Sequence, residues 1–214
     1  LTAYHIDLSE FAPRARAFLE ELEAQNTRAW FRANKARYDA ELKRPAERLL
    51  HQVAAALAKD AGQPVRSKLF RPHRDVRFSA DKTPYHAHLH AAWSVSDGRG
   101  WYFGLAPGYA TAGAGIMRFD TEQMAHWQEA VRGDTGASLE GLLAEMGARL
   151  DPPAPDAGSA PDDEAHPRAD LLKRTGLVVW KDDLFETLSP DPTAALTGTF
   201  ARMQPLQHWL ASNL

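Results

Sequence analysis

The sequence predicts an α+β protein, with one largely antiparallel, twisted sheet and helices from both ends of the chain packed on it. Three observations carry this: helical periodicity in the first third, strict alternation between His86 and Ser96, and a return to helical spacing after Asp120. At 214 residues the chain has the length of one large domain, and we assign residues 1–214 to a single domain.

Phe11, Ala15, Phe18 and Leu22 recur at helical spacing, and Ser9 stands where a cap is needed, so a first helix is expected from Glu10 to Gln25. Asn26 breaks it. Trp30, Asn34, Tyr38 and Leu42 predict a second helix from Thr27, which Pro45 should end or bend. Leu49, Leu50, Val53, Ala56 and Leu57 define a third, closed by Gly62 and Pro64.

After Val65 the pattern changes. Arg66 to Arg71 reads as a short strand, and the run from Arg74 to His86 as an ordered loop. From His86 to Ser96, residues Ala87, Leu89, Ala91, Trp93 and Val95 share one face and His86, His88, His90, Ala92 and Ser94 the other. Asp97-Gly98-Arg99-Gly100 is a hairpin turn, and Trp101 to Pro107 the returning strand. That strand is apolar or small on both faces, the mark of a central strand. A further strand is expected over Gly113–Arg118, with Gly113 and Gly115 read as close backbone packing or a bulge.

Asp120 caps a helix to Arg132, and Leu139, Leu142, Leu143, Met146 and Leu150 mark another. Residues 151–167 hold five prolines and five acids with no aromatic or large aliphatic side chain, a composition that predicts a mobile loop. Leu177 to Trp180 reads as a last strand, followed by one or two helices from Pro192 to Leu210.

Composition limits function. The chain is 44% hydrophobic and 25% charged, and no apolar run approaches the roughly 20 residues that cross a bilayer. No secretory signal is read in the first twenty residues, and the absence of cysteine excludes disulfides and thiolate chemistry, so a cytoplasmic location is expected. A net charge of −3 argues against a protein basic over its whole surface. Charge is nevertheless uneven: Arg66, Lys68, Arg71, Arg74, Arg77 and Lys82 face only Asp75 and Asp81 between residues 66 and 90.

That basic spot coincides with the densest run of charge and aromatics, and we take Arg74, Arg77, Asp81, Lys82, Tyr85, His86 and His88 as candidate ligand-binding residues. Arginine offers a planar fork that matches phosphate or carboxylate, and lysine a compact charge. The plain alternative is that Arg74 and Arg77 pair internally with Asp75, Asp81 or helix carboxylates and brace the loop. Tyr85 and Phe78 would line a pocket or sit in the core.

His86, His88 and His90 stand about 7 Å apart in succession on one strand face, a spacing compatible with metal ligation on a curved strand or with acid–base work beside a bound anion. No metal site is assigned. There is no phosphate-binding loop, no Gly-x-Ser-x-Gly elbow and no His-Glu-x-x-His helix.

Asn26, Trp30-Phe31, Asn34-Lys35, Tyr38 and Pro45, followed by Arg74-Asp75-Val76-Arg77-Phe78-Ser79 and Asp81-Lys82-Thr83-Pro84-Tyr85, together resemble domain-of-unknown-function family 2461, a group of conserved hypothetical proteins. His166-Pro167, Asp170-Leu171-Leu172, Pro205-Leu206 and Trp209-Leu210 extend the resemblance over nearly the whole chain. Departures fall at His86, where a lysine is more usual, and at Leu150 to Glu164. The resemblance implies no activity.

The leading expectation is therefore a cytoplasmic protein with a concave site, formed by the basic loop and the adjacent sheet face, for an anionic small molecule or a nucleic-acid phosphate. A metal-dependent hydrolase using His86, His88 and an aspartate is the second reading, and a non-catalytic interaction module with a bracing loop the third. Cofactor, reaction and oligomeric state are left open.

Overall fold

A computed structural model describes residues 7–152 and 165–214. The chain starts with a 3₁₀ turn, Leu8–Glu10, and runs into helix α1, Phe11–Ala24. The expected cap is displaced by two residues: Asp7, not Ser9, closes the free end by accepting the Ser9 amide at 3.1 Å. Phe11, Phe18, Leu19 and Leu22 are all buried, and each such side chain contributes about 2 kcal/mol by leaving water.

The second helix begins where expected, with the Thr27 hydroxyl accepting the Trp30 amide at 3.2 Å. It then takes three steps: α2 (Arg28–Ala33), α3 (Lys35–Tyr38) and a π-helical turn, Asp39–Lys43, before α4 (Arg44–Ala61). Pro45 explains the last step. Lacking an amide and clashing with the carbonyl four residues back, it disfavours regular pairing on its N-terminal side, and the Arg44 amide reaches Asp39 one residue further back. Pro45 itself lies in the first turn of α4, and α4 ends at Gly62 with φ +64°.

The strands are β1 (Arg66–Leu69), β2 (Leu89–Ser94), β3 (Gly100–Ala106), β4 (Tyr109–Ile116), β5 (Arg149–Leu150) and β6 (Leu177–Lys181). They form one antiparallel sheet in the order β1-β2-β3-β4-β6-β5. β1 and β2 are shorter than expected, so His86 and His88 precede β2 instead of lying in it. β4 begins four residues earlier than expected and pairs with β3 through a tight turn at Pro107-Gly108. Its early part was obscured because small residues do the burying: Ala110, Ala112 and Ala114 are at most 1% exposed.

Helices α5 (Thr121–Arg132) and α6 (Asp134–Met146) follow, then α7 (Ala169–Leu172), α8 (Phe185–Leu188), α9 (Pro192–Arg202) and α10 (Gln204–Asn213). Asp120 caps α5 in a reciprocal box with Gln123. α6 stops at Gly147, φ +53°, so Leu150 belongs to β5 and not to that helix. The expected mobile loop lies, from residue 153 to 164, outside the described residues.

Chain contacts divide the protein into two compact units: Leu1–Trp93 with Tyr102–Ala112 and Asp182–Gly198, and Ser94–Trp101 with Gly113–Lys181 and Thr199–Leu214. In the first unit, Trp93 is fully buried and its indole donates to the Leu50 carbonyl at 2.9 Å, tying β2 to α4. In the second, Trp127 packs against Phe119 and Trp209 and donates to the Leu171 carbonyl at 3.0 Å. There Gly113 and Gly115 read as expected, as close packing. A side chain at Gly113 would meet the Trp180 ring at 2.4 Å, and one at Gly115, φ +147°, the Leu177 carbonyl at 1.9 Å.

Candidate functional site: a closed basic loop and its histidine flank

The candidate residues lie in the first unit, where the loop between β1 and β2 is pinched at its neck. The Arg74 amide donates to the Pro84 carbonyl at 2.9 Å and the His86 amide to Pro72 at 2.7 Å, with an isolated antiparallel bridge between His73 and Tyr85. Asn26, just past α1, clamps the same place. Its side-chain amide donates to the Tyr85 carbonyl at 2.8 Å and its oxygen accepts the Tyr85 amide at 3.1 Å.

Tyr85 is therefore a neck residue. It is 7% exposed and stacks on Phe31 at 4.1 Å, with the His73 ring edge-on at 5.0 Å. Its contribution is to hold the loop entrance closed.

Inside the neck the charges sort themselves. Asp81 accepts the Thr83 amide at 2.9 Å and the Thr83 hydroxyl at 3.0 Å, and Arg74 donates to both the Asp81 carboxylate and the Thr83 hydroxyl. These bonds, the Thr83 amide first and Arg74 second, hold the Asp81 carboxyl down at about 2. Arg77 forks onto Asp75 with contacts of 2.9 and 2.7 Å, and Lys82 donates to the Val76 carbonyl at 3.0 Å. The loop thus braces itself, and its candidate cations do not converge on one point. Arg74 is the most enclosed, its side chain 22% exposed against 76% for Arg77. Phe78, beside Arg77, is 96% exposed.

The histidines make a stack. The rings of His86 and His88 lie 4.7 Å apart and those of His88 and His90 3.8 Å apart, the latter within 18° of parallel. His90 Nε2 meets the Tyr109 hydroxyl at 2.7 Å. Burial lowers all three from the usual histidine range, and neighbouring charge adds to it; His88 is pushed down to about 4, by burial first and then by His90, His86 and Arg74. All three are neutral near pH 7. Stacked rings do not aim their nitrogens at a common point, and among the described residues no group of three or more His, Cys, Asp or Glu is placed to hold a metal ion.

Among the described residues the space beside the histidines is small. The hollow lined by Tyr38, Phe70, Pro72, His86 and His88 has a volume of about 10 Å³, room for roughly one water. A larger cleft, about 440 Å³, lies in the second unit and is bordered by Asp97, Arg99, Arg118, Asp120 and Glu122, whose charges nearly cancel.

Two contributors were not singled out as site residues from the sequence. Asn26 reads there as a helix breaker, and its position one residue beyond the helix is the signal for a side chain free to bond elsewhere. Tyr109 gives no signal before its strand is placed.

An α+β architecture carrying a braced basic loop is the class that these features define. The chain belongs to the family described as "Conserved hypothetical protein (DUF2461)", whose model matches residues 14–209. No curated protein and no solved structure matches it.

Proposed function

We propose that this chain is a binding protein that engages an anionic partner through the outer side of the basic loop and the adjoining strand β1. The observation that carries the reading is the cation surplus left after internal pairing. Arg74 is satisfied by Asp81 and Arg77 by Asp75, whereas Arg66, Lys68, Arg71 and Lys82 are exposed and form no salt bridge among the described residues. The four are strung along a braced scaffold instead of lining a cavity, which favours an extended polyanion over a single small anion. Arg66 and Lys68, on one side of β1, stand about 7 Å apart, a separation suited to successive charges.

In this reading Arg74 and Asp81 shape the loop, Arg77 is held ready by Asp75, and the neutral histidines flank the surface without adding charge. No helix among the described residues is long and apolar enough to cross a membrane, and the cysteine-free composition supports a cytoplasmic setting.

The test is binding of inorganic polyphosphate, followed by calorimetry at low salt, to the unaltered chain and to an Arg66→Ala/Lys68→Ala/Arg71→Ala variant. The unaltered chain should bind and the triple variant should bind at least tenfold more weakly with unchanged thermal stability. Equal binding by both proteins, or none by either, overturns the reading.

A further inference from the structure

We propose that the anionic partner is a single-stranded nucleic acid, with the exposed aromatic rings of the first unit stacking on its bases. The inference rests on the anion-binding reading and extends it from charge to shape.

Among the described residues the large apolar side chains that remain exposed are Phe70 at 45%, Phe78 at 96%, Tyr109 at 39% and Met117 at 52%. The three aromatic ones all belong to the first unit, and two of them are coupled to the cations already described. Lys68 Nζ lies 4.6 Å from the centre of the Phe70 ring, and Arg77 Cζ lies 5.9 Å from that of Phe78. Phe78 lies in a loop tied by the neck bonds, by the Arg74–Asp81–Thr83 cluster and by Lys82 to the Val76 carbonyl, and its phenyl ring faces water at a hydrophobic cost that a stacking partner would relieve.

The flank is prepared in the same sense. Gly104 on β3 has no side chain, and a Cβ there would stand 3.1 Å from the Tyr109 ring and 3.2 Å from the His90 ring. Its absence lets these two rings close over the strand and bond to each other. With His88 stacked on His90 and all three histidines neutral, this side offers flat, uncharged π surface next to β1, which supplies Lys68 and Arg66.

Cations interleaved with single, separated aromatic rings are what a flexible strand of bases requires: each ring accepts a base face, and the cations follow the backbone. A duplex hides its base faces and would use only the charge. A membrane surface would favour apolar side chains gathered at one tip, whereas these rings are spread over the end of β1, the loop and the start of β4. The free cations, without free acids among them, also set this surface apart from an ordinary protein-docking face, whose centre is depleted of charge.

The deciding experiment measures fluorescence anisotropy of labelled (dT)12 and (rU)12, and of a (dA·dT)12 duplex, with the intact chain at low salt, together with inorganic polyphosphate as a base-free polyanion and anionic lipid vesicles as competitors. Expected is tighter binding of one or both single strands than of the duplex, with affinity falling as salt rises. Phe78→Ala and Phe70→Ala should each weaken oligonucleotide binding by about tenfold while leaving polyphosphate binding unchanged. Preference for (dT)12 or for (rU)12 identifies the sugar. If the aromatic variants bind oligonucleotide as well as the parent, or if duplex or vesicles win, the inference fails while polyphosphate binding keeps the anion reading intact. If neither oligonucleotide nor polyphosphate binds, both fall together.

Discussion

The same three-residue device occurs in both units and meets opposite fates. Asp75-Val76-Arg77 in the loop and Asp97-Gly98-Arg99 in the β2–β3 turn each fold so that the arginine amide and guanidinium return to the aspartate two residues earlier. The guanidinium contacts are 2.9 and 2.7 Å for Arg77, and 3.0 and 2.8 Å for Arg99. Arg77 stops there, with its side chain 76% exposed. Arg99 is 8% exposed and goes on to donate to the Gln207 carbonyl at 3.0 Å, while the Gln207 side chain donates to the Gly100 carbonyl at 2.8 Å. Local sequence writes the fork, but what surrounds it decides whether the arginine is part of the structure or is available to a partner.

The sharpest way to break the comparison is to remove each arginine in turn. Arg99→Ala removes a buried guanidinium, whose partner Asp97 is 41% exposed, and leaves the buried Gln207 carbonyl without that charged donor, so denaturant unfolding should show a loss of about 3 kcal/mol. A loss below 1 kcal/mol would mean that the turn does not depend on its fork. Asn26→Ala comes next. It deletes both bonds to the Tyr85 backbone and should lower stability by about 2 kcal/mol. Amide exchange would show whether the loss is focused on residues 73–86, as the neck requires, or spread over the unit.

The histidine stack gives a smaller effect with a defined sign. The folded value of His88, about 4, lies below its ordinary 6.5, so between these limits the unfolded chain binds a proton that the folded chain refuses. Its contribution is intact above pH 6.5 and is lost as pH falls toward 4. Thermal melts of His88→Phe should therefore show a shallower decline over that window than the parent, and identical slopes would remove the stack from the account. Smallest of all is Arg77→Ala, an exposed pair whose removal should leave the thermal unfolding midpoint of the parent unchanged. Its consequence should appear instead as weaker polyphosphate binding.

The fold was legible in the sequence wherever large side chains do the packing. Phe18, Leu22, Leu49 and Val53 mark their helices, and Leu89, Ala91 and Trp93 their strand, because burial and periodicity coincide in them. β4 was half hidden because alanine and glycine bury without announcing a face. The π-helical turn was hidden because Pro45 signals a disturbance but not how many residues it absorbs. At the site, the charge excess and the option of internal pairing were legible, but not which partner each arginine takes, since Asp75 and Asp81 are equally available on paper to either one. Histidine spacing was legible too, but the chain leaves the extended form before Leu89, and rings read as about 7 Å apart on a strand face stack closer together instead.

The pinched neck has a consequence for modularity. Because His73 and Tyr85 already face each other across an antiparallel bridge, the chain enters and leaves the loop at nearly the same point, and what lies between them closes on itself. Lengthening a flexible closed loop is thermodynamically cheap, about 0.6 kcal/mol for each doubling. Residues 74–84 should therefore be replaceable as a cassette: a short Asn-Gly turn spliced in their place is expected to leave the helices and strands of the first unit standing, and a foreign loop grafted there would be displayed on a ready-made pedestal.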